Sequence, residues 1–148
     1  MPRLSVLLLA LLAAGCDGFS GDDQRLFEDA AFLGTSDGVT GDDWRVGPVF
    51  GGRVQVIRPA TPNPARPNDS VIVQIYADAA PAGFALYRRR ADGTLDLIQE
   101  TFGVAAPNIY TFDFFGSEAS PTGTSGSSRI LILDGTERVA TYGDVVLE

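Results

Sequence analysis

The feature that most constrains the fold is a two-residue alternation of apolar and polar side chains that recurs from Gly52 to the end of the chain. In Arg53-Val54-Gln55-Val56 the valines fall on one face of an extended strand and the polar residues on the other. Six further segments share this character: Val71–Ala77, Phe84–Arg89, Leu95–Gln99, Ile109–Phe114, Arg129–Leu133 and Val139–Leu147. Short strands at this spacing predict two packed antiparallel sheets.

Turn residues separate most of these segments. Asp92-Gly93 and Asp134-Gly135 are each flanked by strand patterns and predict two hairpins, because such turns need positive φ at their central residues. Pro62, Pro64 and Pro67 remove backbone donors and predict an extended crossing between the first two strands. We therefore expect residues 52–148 to form an all-β, immunoglobulin-like antiparallel sandwich of about seven strands.

The predicted core consists of the large apolar side chains on the inner faces of the two sheets. They are Val54, Val56, Val71, Val73, Ile75, Phe84, Leu86, Leu95, Leu97, Tyr110, Phe112, Phe114, Ile130, Ile132, Val145 and Leu147. Trp44 precedes the first strand, and we expect it to pack the N-terminal segment onto the sandwich. The alternative for Trp44 is an exposed contact residue.

Two further segments are candidates for contact with a partner. Arg88-Arg89-Arg90 is the one basic run, and it predicts a solvated strand end balanced by nearby aspartates, with contact to a phosphate or a lipopolysaccharide headgroup as the alternative. Gly116–Ser128 is too polar and too rich in glycine for a strand and predicts a mobile loop. Because it lacks the tyrosine, tryptophan and arginine that commonly anchor binding, disorder is favoured over binding.

Composition excludes most catalytic chemistry. The chain has no histidine, and all 11 basic residues are arginine, which excludes His-dependent nucleophilic catalysis, imidazole zinc sites and Schiff-base lysines. A carboxylate-dependent, glycan-active enzyme remains as an alternative, although most aspartates lie beside glycine in turn patterns. We therefore predict a noncatalytic protein without a cofactor or metal.

The N-terminal residues predict export. Met1-Pro2-Arg3 carries one positive charge, and the apolar run from Leu4 to Ala14 is too short to span a bilayer, which is typical of a signal peptide over residues 1–15. Ala13-Ala14-Gly15-Cys16 resembles the lipobox of bacterial lipoproteins. The resemblance implies cleavage between Gly15 and Cys16, and a diacylglycerol and an acyl chain such as palmitate on Cys16. An ordinary secretory signal or a short buried segment is the alternative.

Between the predicted anchor and the sandwich we expect a lipidated tether over residues 16–25, then a short helix and connecting segment over residues 26–51. Gly-Asp-Asp occurs at 21–23 and 41–43, where it could ligate calcium or only cap helices and turns. Acidic residues after Cys16 resemble surface-export signals, whereas Asp17 itself resembles an inner-membrane retention signal. The expected location is thus the cell envelope, at the outer membrane on its periplasmic or surface face, with the inner membrane as the alternative.

After removal of Arg3 the chain would carry ten arginines and 19 acidic residues, which disfavours nucleic acid as a partner. The predicted function is a lipid-anchored module that contacts an envelope protein or a glycan.

A second resemblance concerns the sandwich. Thr61-Pro62-Asn63-Pro64, the strand after it and the hairpin around Asp92-Gly93 are similar to the C-terminal immunoglobulin-like domains of type IX secretion cargo. Those domains usually end in a strand that bears lysine, and they follow a large passenger; this chain shows neither feature. The resemblance implies a sandwich, and a secretion sorting or assembly domain is kept as the alternative function.

Overall fold

The computed structural model describes residues 44–78, 83–102, 105–120, 122 and 125–148. The strands are β1 (Arg45–Val46), β2 (Val54–Thr61), β3 (Ser70–Ala77), β4 (Phe84–Arg89), β5 (Leu95–Thr101), β6 (Asn108–Phe115), β7 (Gly126–Asp134) and β8 (Val139–Leu147). A 3₁₀ turn spans Pro48–Phe50, and a one-turn helix, α1, spans Gly116–Ala119. The predicted signal peptide, tether and N-terminal helix lie outside the described residues.

The strands form two antiparallel sheets. One sheet has the order β1-β8-β7-β4-β5, and the other has the order β2-β3-β6. With the two-residue β1 set aside, the sheets correspond to strands A-B-E and G-F-C-C′ of an immunoglobulin-like sandwich. The structure therefore confirms the predicted all-β sandwich, and β1 is an addition to the seven predicted strands.

The core lies between the sheets. On β3, Val71, Val73 and Ile75 lie opposite the three inward aromatic residues of β6, and all of these side chains are buried. The rings of Phe84 and Tyr110 meet edge to face, with centroids 4.8 Å apart. This packing connects β4 in one sheet to β6 in the other, and the burial raises the pKa of Tyr110.

The prediction that Leu95 and Leu97 face the core is wrong. They are 39% and 50% exposed, because a bulge shifts the β4–β5 register between Leu86 and Tyr87. One inserted residue reverses the alternation, so every side chain beyond it changes face. Asp96 consequently turns to the side of β5 that faces Arg88.

The prediction of a mobile loop over Gly116–Ser128 is wrong at both ends. Its first four residues form α1, where the Glu118 carboxylate accepts a hydrogen bond from the Phe115 amide at 2.7 Å. Ala119 is fully buried, and its carbonyl accepts a hydrogen bond from the Ser128 hydroxyl at 2.6 Å. The last residues of the segment belong to β7. Helix capping and burial thus order parts of a segment whose composition alone predicts a loop.

The proline-rich crossing covers the outer edge of β8. β2 runs on to Thr61, beyond its predicted end, and the Asn63 side chain then donates to the Asp144 carbonyl at 2.9 Å and accepts from the Val146 amide at 2.8 Å. The Ala65 amide donates to the Val146 carbonyl at 2.8 Å. The Asn63 side chain therefore makes hydrogen bonds to the β8 backbone that the backbone of a neighbouring strand would otherwise make.

Both predicted hairpins are present, and the backbone hydrogen bonds that close them enclose three-residue loops. In the first, Arg90 and Thr94 are joined by a backbone hydrogen bond of 2.8 Å, and Gly93 has φ of 88°. In the second, positive φ falls on Glu137, at 64°, and not within Asp134-Gly135 as predicted. The reason is that a three-residue loop places its left-handed residue after a type I turn.

Candidate functional site

A cleft of about 720 Å³ opens where the end of β4, the end of α1 and the start of β7 meet. Four arginines and several hydroxyl side chains dominate its lining. The lining residues are Arg88, Arg89, Arg90, Ala91, Ala119, Ser120, Thr122, Ser127, Ser128 and Arg129. None of these described lining residues is acidic.

Two of the arginines share one carboxylate. Arg88 is 8% exposed, pairs with Asp96 and donates to the Glu118 carbonyl at 3.1 Å. Arg90, whose side chain is 55% exposed, reaches the same Asp96 carboxylate at 2.5 Å and 2.7 Å. Burial and, to a smaller extent, the charge of Arg90 lower the pKa of Arg88. This group, Arg88, Arg90 and Asp96, is called the shared-carboxylate cluster below.

Arg129 has a carboxylate of its own. Its Nε lies 2.5 Å from Asp144 Oδ1, and its Nη2 lies 3.1 Å from Asp144 Oδ2. The Asp144 side chain is 1% exposed, and the Arg129 guanidinium stands over the Tyr142 ring at 5.5 Å from the ring centroid. The two charges of this pair, called the closed pair below, therefore balance.

Arg89 differs from the other three arginines. Arg88 of β4 lies directly opposite Ile130 of β7 in the sheet. Arg89 and Arg129 are the next residues on these two antiparallel strands, and they therefore project from the same face of the sheet. The Arg89 Nε is buried and has no hydrogen-bond partner among the described residues. The nearby carboxylates of Asp92 and Glu118 accept hydrogen bonds from Thr94 and from the Phe115 amide, and neither residue lines the cleft.

These positions correct part of the sequence interpretation of the basic run. The expected balance by aspartate is found for Arg88 and Arg90, which Asp96 joins. Arg88, however, is buried and not solvated, because it projects beneath α1 from the inner face of β4. Arg129 was not anticipated as a member of the site. The only signal for it was its outward position in the alternation of β7, which is insufficient without the strand order.

Trp44 is 8% exposed and belongs to the core cluster, so the alternative of an exposed contact residue is wrong. Its ring covers Gly143 on β8, where an added Cβ would lie 2.5 Å from the ring carbons. This position agrees with the packing expected for Trp44. Gly15, Cys16 and both Gly-Asp-Asp segments lie outside the described residues.

Among the described residues, no three Cys, Asp or Glu side chains converge as a metal site would require. Within residues 44–148, the described helices include none with the length and apolar character needed to cross a membrane.

The cleft is suited to holding a negatively charged group. Guanidinium groups donate hydrogen bonds in a planar fork that matches carboxylates and phosphates. Its described lining presents neither a nucleophile paired with a base nor two facing acids. Comparison with known proteins returned no matching family model, no matching curated protein and no matching solved structure.

Proposed function

We propose that this protein is a noncatalytic binding module of the cell envelope, held at a membrane by lipid on Cys16. The observation that carries the binding role is the arginine-lined cleft, which offers hydrogen-bond donors and positive charge on ordered strands. Binding sites on rigid strands hold their donors in place before a ligand arrives, which lowers the entropy lost on binding. The partner is a component of the envelope, either a protein or a glycan.

The anchor is supported by the sequence around Cys16. This is the only cysteine of the chain, and it follows the apolar run directly. Each buried methylene contributes about 0.8 kcal/mol, so one acyl chain holds a protein weakly and two or more hold it stably. Cleavage and acylation at Cys16 would leave the sandwich attached through residues 17–43.

Metabolic labelling with radioactive palmitate tests the anchor. We expect label in the wild type and none in Cys16→Ser, with Ser20→Ala as a matched control that keeps the label. The intact mass of the mature wild type should correspond to a chain that starts at an acylated Cys16. Equal labelling of wild type and Cys16→Ser would overturn the proposed anchor, as would an unmodified thiol or a retained Met1.

Crosslinking in the native envelope tests the binding role. The wild-type acylated protein should capture a discrete envelope component, and Arg89→Gln should capture less of it. Arg58→Gln is the matched control, because Arg58 is exposed on β2, in the other sheet. Equal capture by both variants would separate the binding role from the cleft.

The alternative of a sorting domain has its own test. It is motivated by the Thr61-Pro62-Asn63-Pro64 segment, whose Asn63 side chain bonds to β8. Deletion of residues 61–148 should leave acylation and membrane location unchanged if the sandwich serves binding. Transfer of the truncated chain to another compartment would favour sorting over binding.

A further inference from the structure

We infer that the cleft between the end of β4 and the start of β7 binds a phosphomonoester group carried by a sugar or a lipid headgroup. The inference rests on the proposed function for the binding role and adds the chemical class of ligand.

The charge count of the cleft favours a doubly charged anion. Four guanidinium groups line it, and among the described residues two carboxylates, those of Asp96 and Asp144, contact them. The closed pair is neutral, so the surplus of two positive charges lies with Arg89 and the shared-carboxylate cluster. A phosphomonoester carries about −1.5 to −2 at neutral pH, which matches this surplus. A carboxylate or a sulfate ester carries one negative charge and would leave part of the surplus uncompensated.

Hydrogen bonding points to the same class of ligand. The buried Arg89 Nε has no acceptor among the described residues, and buried donors without an acceptor are rare and costly. A phosphate in the cleft would supply an acceptor for the Arg89 guanidinium, and its other oxygens would remain for Arg90. The volume of about 720 Å³ lies within the range of small-molecule sites, so there is room for the group that carries the phosphate.

The scaffold keeps these donors in position. Arg88 is held between Asp96 and the Glu118 carbonyl, and Arg90 is held by the Asp96 carboxylate. The whole chain carries a formal charge of −8, so attraction of an anion is confined to the neighbourhood of the arginines. In physiological salt, charge interactions are screened beyond about 8 Å. A site of this kind selects ligands at contact and does not draw them in from a distance.

Titration calorimetry on the full-length acylated protein in neutral detergent micelles tests the ligand class. Glucose 6-phosphate should bind at least about tenfold more tightly than glucose 6-sulfate, and glucose should give no heat. Equal affinity for glucose 6-phosphate and glucose 6-sulfate would overturn the inference. So would a protein that binds neither glucose 6-phosphate nor short-chain phosphatidic acid. Short-chain phosphatidic acid and phosphatidylglycerol form the second arm, because only the former is a phosphomonoester. Preference for the sugar phosphate or for phosphatidic acid identifies the source, and either supports the class.

Substitution locates the site. Arg89→Gln should weaken binding of the phosphate-bearing probe by about tenfold or more, whereas Arg58→Gln, with the same charge change, should not alter it. Arg90→Gln is the second variant, since its exposed side chain can be replaced without disturbing the core. Wild-type affinity in both Arg89→Gln and Arg90→Gln would overturn the assignment. Palmitate labelling is measured on the same samples: lost binding with retained label removes only this inference, and lost label removes only the anchor.

Discussion

The closed pair and the shared-carboxylate cluster use the same two residue types for different purposes. Among the described residues, the Asp144 carboxylate is buried and pairs with Arg129 through two hydrogen bonds, whereas the Asp96 carboxylate is 23% exposed and pairs with both Arg88 and Arg90. The closed pair joins neighbouring strands, because Arg129 lies directly opposite Asp144. The shared-carboxylate cluster lies at the start of the edge strand β5, of which Asp96 is the second residue. The closed pair is buried and its charges balance, so it acts as a structural contact. The shared-carboxylate cluster is partly exposed and carries surplus positive charge, so it can still bind a ligand.

The largest effect is expected from Asp144→Asn. It removes the negative charge of the closed pair, and removing one partner of a buried pair typically costs about 3–5 kcal/mol. The free energy of unfolding, measured in urea, should fall by about 3 kcal/mol. Asp78→Asn, at an exposed position that loses the same charge, is the control and should have little effect. A loss no greater than that of the control would mean that the closed pair is not structural.

The next effect concerns the strand that carries Asp144. In Gly143→Ala the added methyl group must displace the Trp44 ring, and overpacking of this kind costs about 1–3 kcal/mol. Since Trp44 is the only tryptophan, its fluorescence should shift to the red as the ring becomes exposed. Gly51→Ala is the control, because a Cβ there meets only the Pro48 carbonyl oxygen at 3.5 Å. Unchanged emission and stability in Gly143→Ala would contradict the packing of Trp44 on β8.

A smaller loss is expected from Asp96→Asn. The Asp96 carboxylate is 23% exposed, so water screens its interaction with Arg88 more than it screens the closed pair, and Arg88 keeps the Glu118 carbonyl; the free energy of unfolding should therefore fall by about 1–2 kcal/mol. The same variant enlarges the positive surplus and should tighten binding of glucose 6-phosphate. A loss as large as that of Asp144→Asn, or weaker phosphate binding in a folded Asp96→Asn protein, would remove the distinction between the two groups.

The smallest effect is a change in a pKa beside the shared-carboxylate cluster. The Thr94 hydroxyl, then the Thr94 amide, and to a lesser extent Arg90, lower the pKa of Asp92. A lowered carboxyl pKa gives stability that is present above the unfolded value near 3.9 and is lost as pH falls through the folded value. In Thr94→Val the pKa of Asp92, followed by NMR, should rise towards its ordinary value. Arg90→Gln should raise the pKa of Asp92 less than Thr94→Val does. A larger rise in Arg90→Gln would mean that the charge of Arg90 lowers this pKa more than Thr94 does.

Much of the sandwich is readable from the sequence. The bounds of β4 and β8 agree with the predicted bounds, because runs of branched and aromatic residues between turn residues mark a strand. The exposure of Leu95 and Leu97 was not predictable, since a bulge in β5 leaves no residue-type signature. β1 was missed because two residues are too few to show a period.

The candidate site was readable only in part. The basic run is evident in the sequence. Arg129 lies beside it only because β4 and β7 are neighbours in one sheet. That neighbourhood is a property of the strand order and not of any local pattern. Likewise, Asp96 reaches Arg88 only because the bulge turns it inward.

The covering of β8 by Asn63 and Ala65 has a consequence for how copies of this protein behave when they are crowded. An open terminal strand offers a template on which a second molecule can add its own strand, and that route leads to fibrous aggregates. Here the amide and carbonyl of Val146 and the carbonyl of Asp144 are already bonded within the same chain. Molecules concentrated side by side on a surface would therefore meet at this edge without polymerising through it.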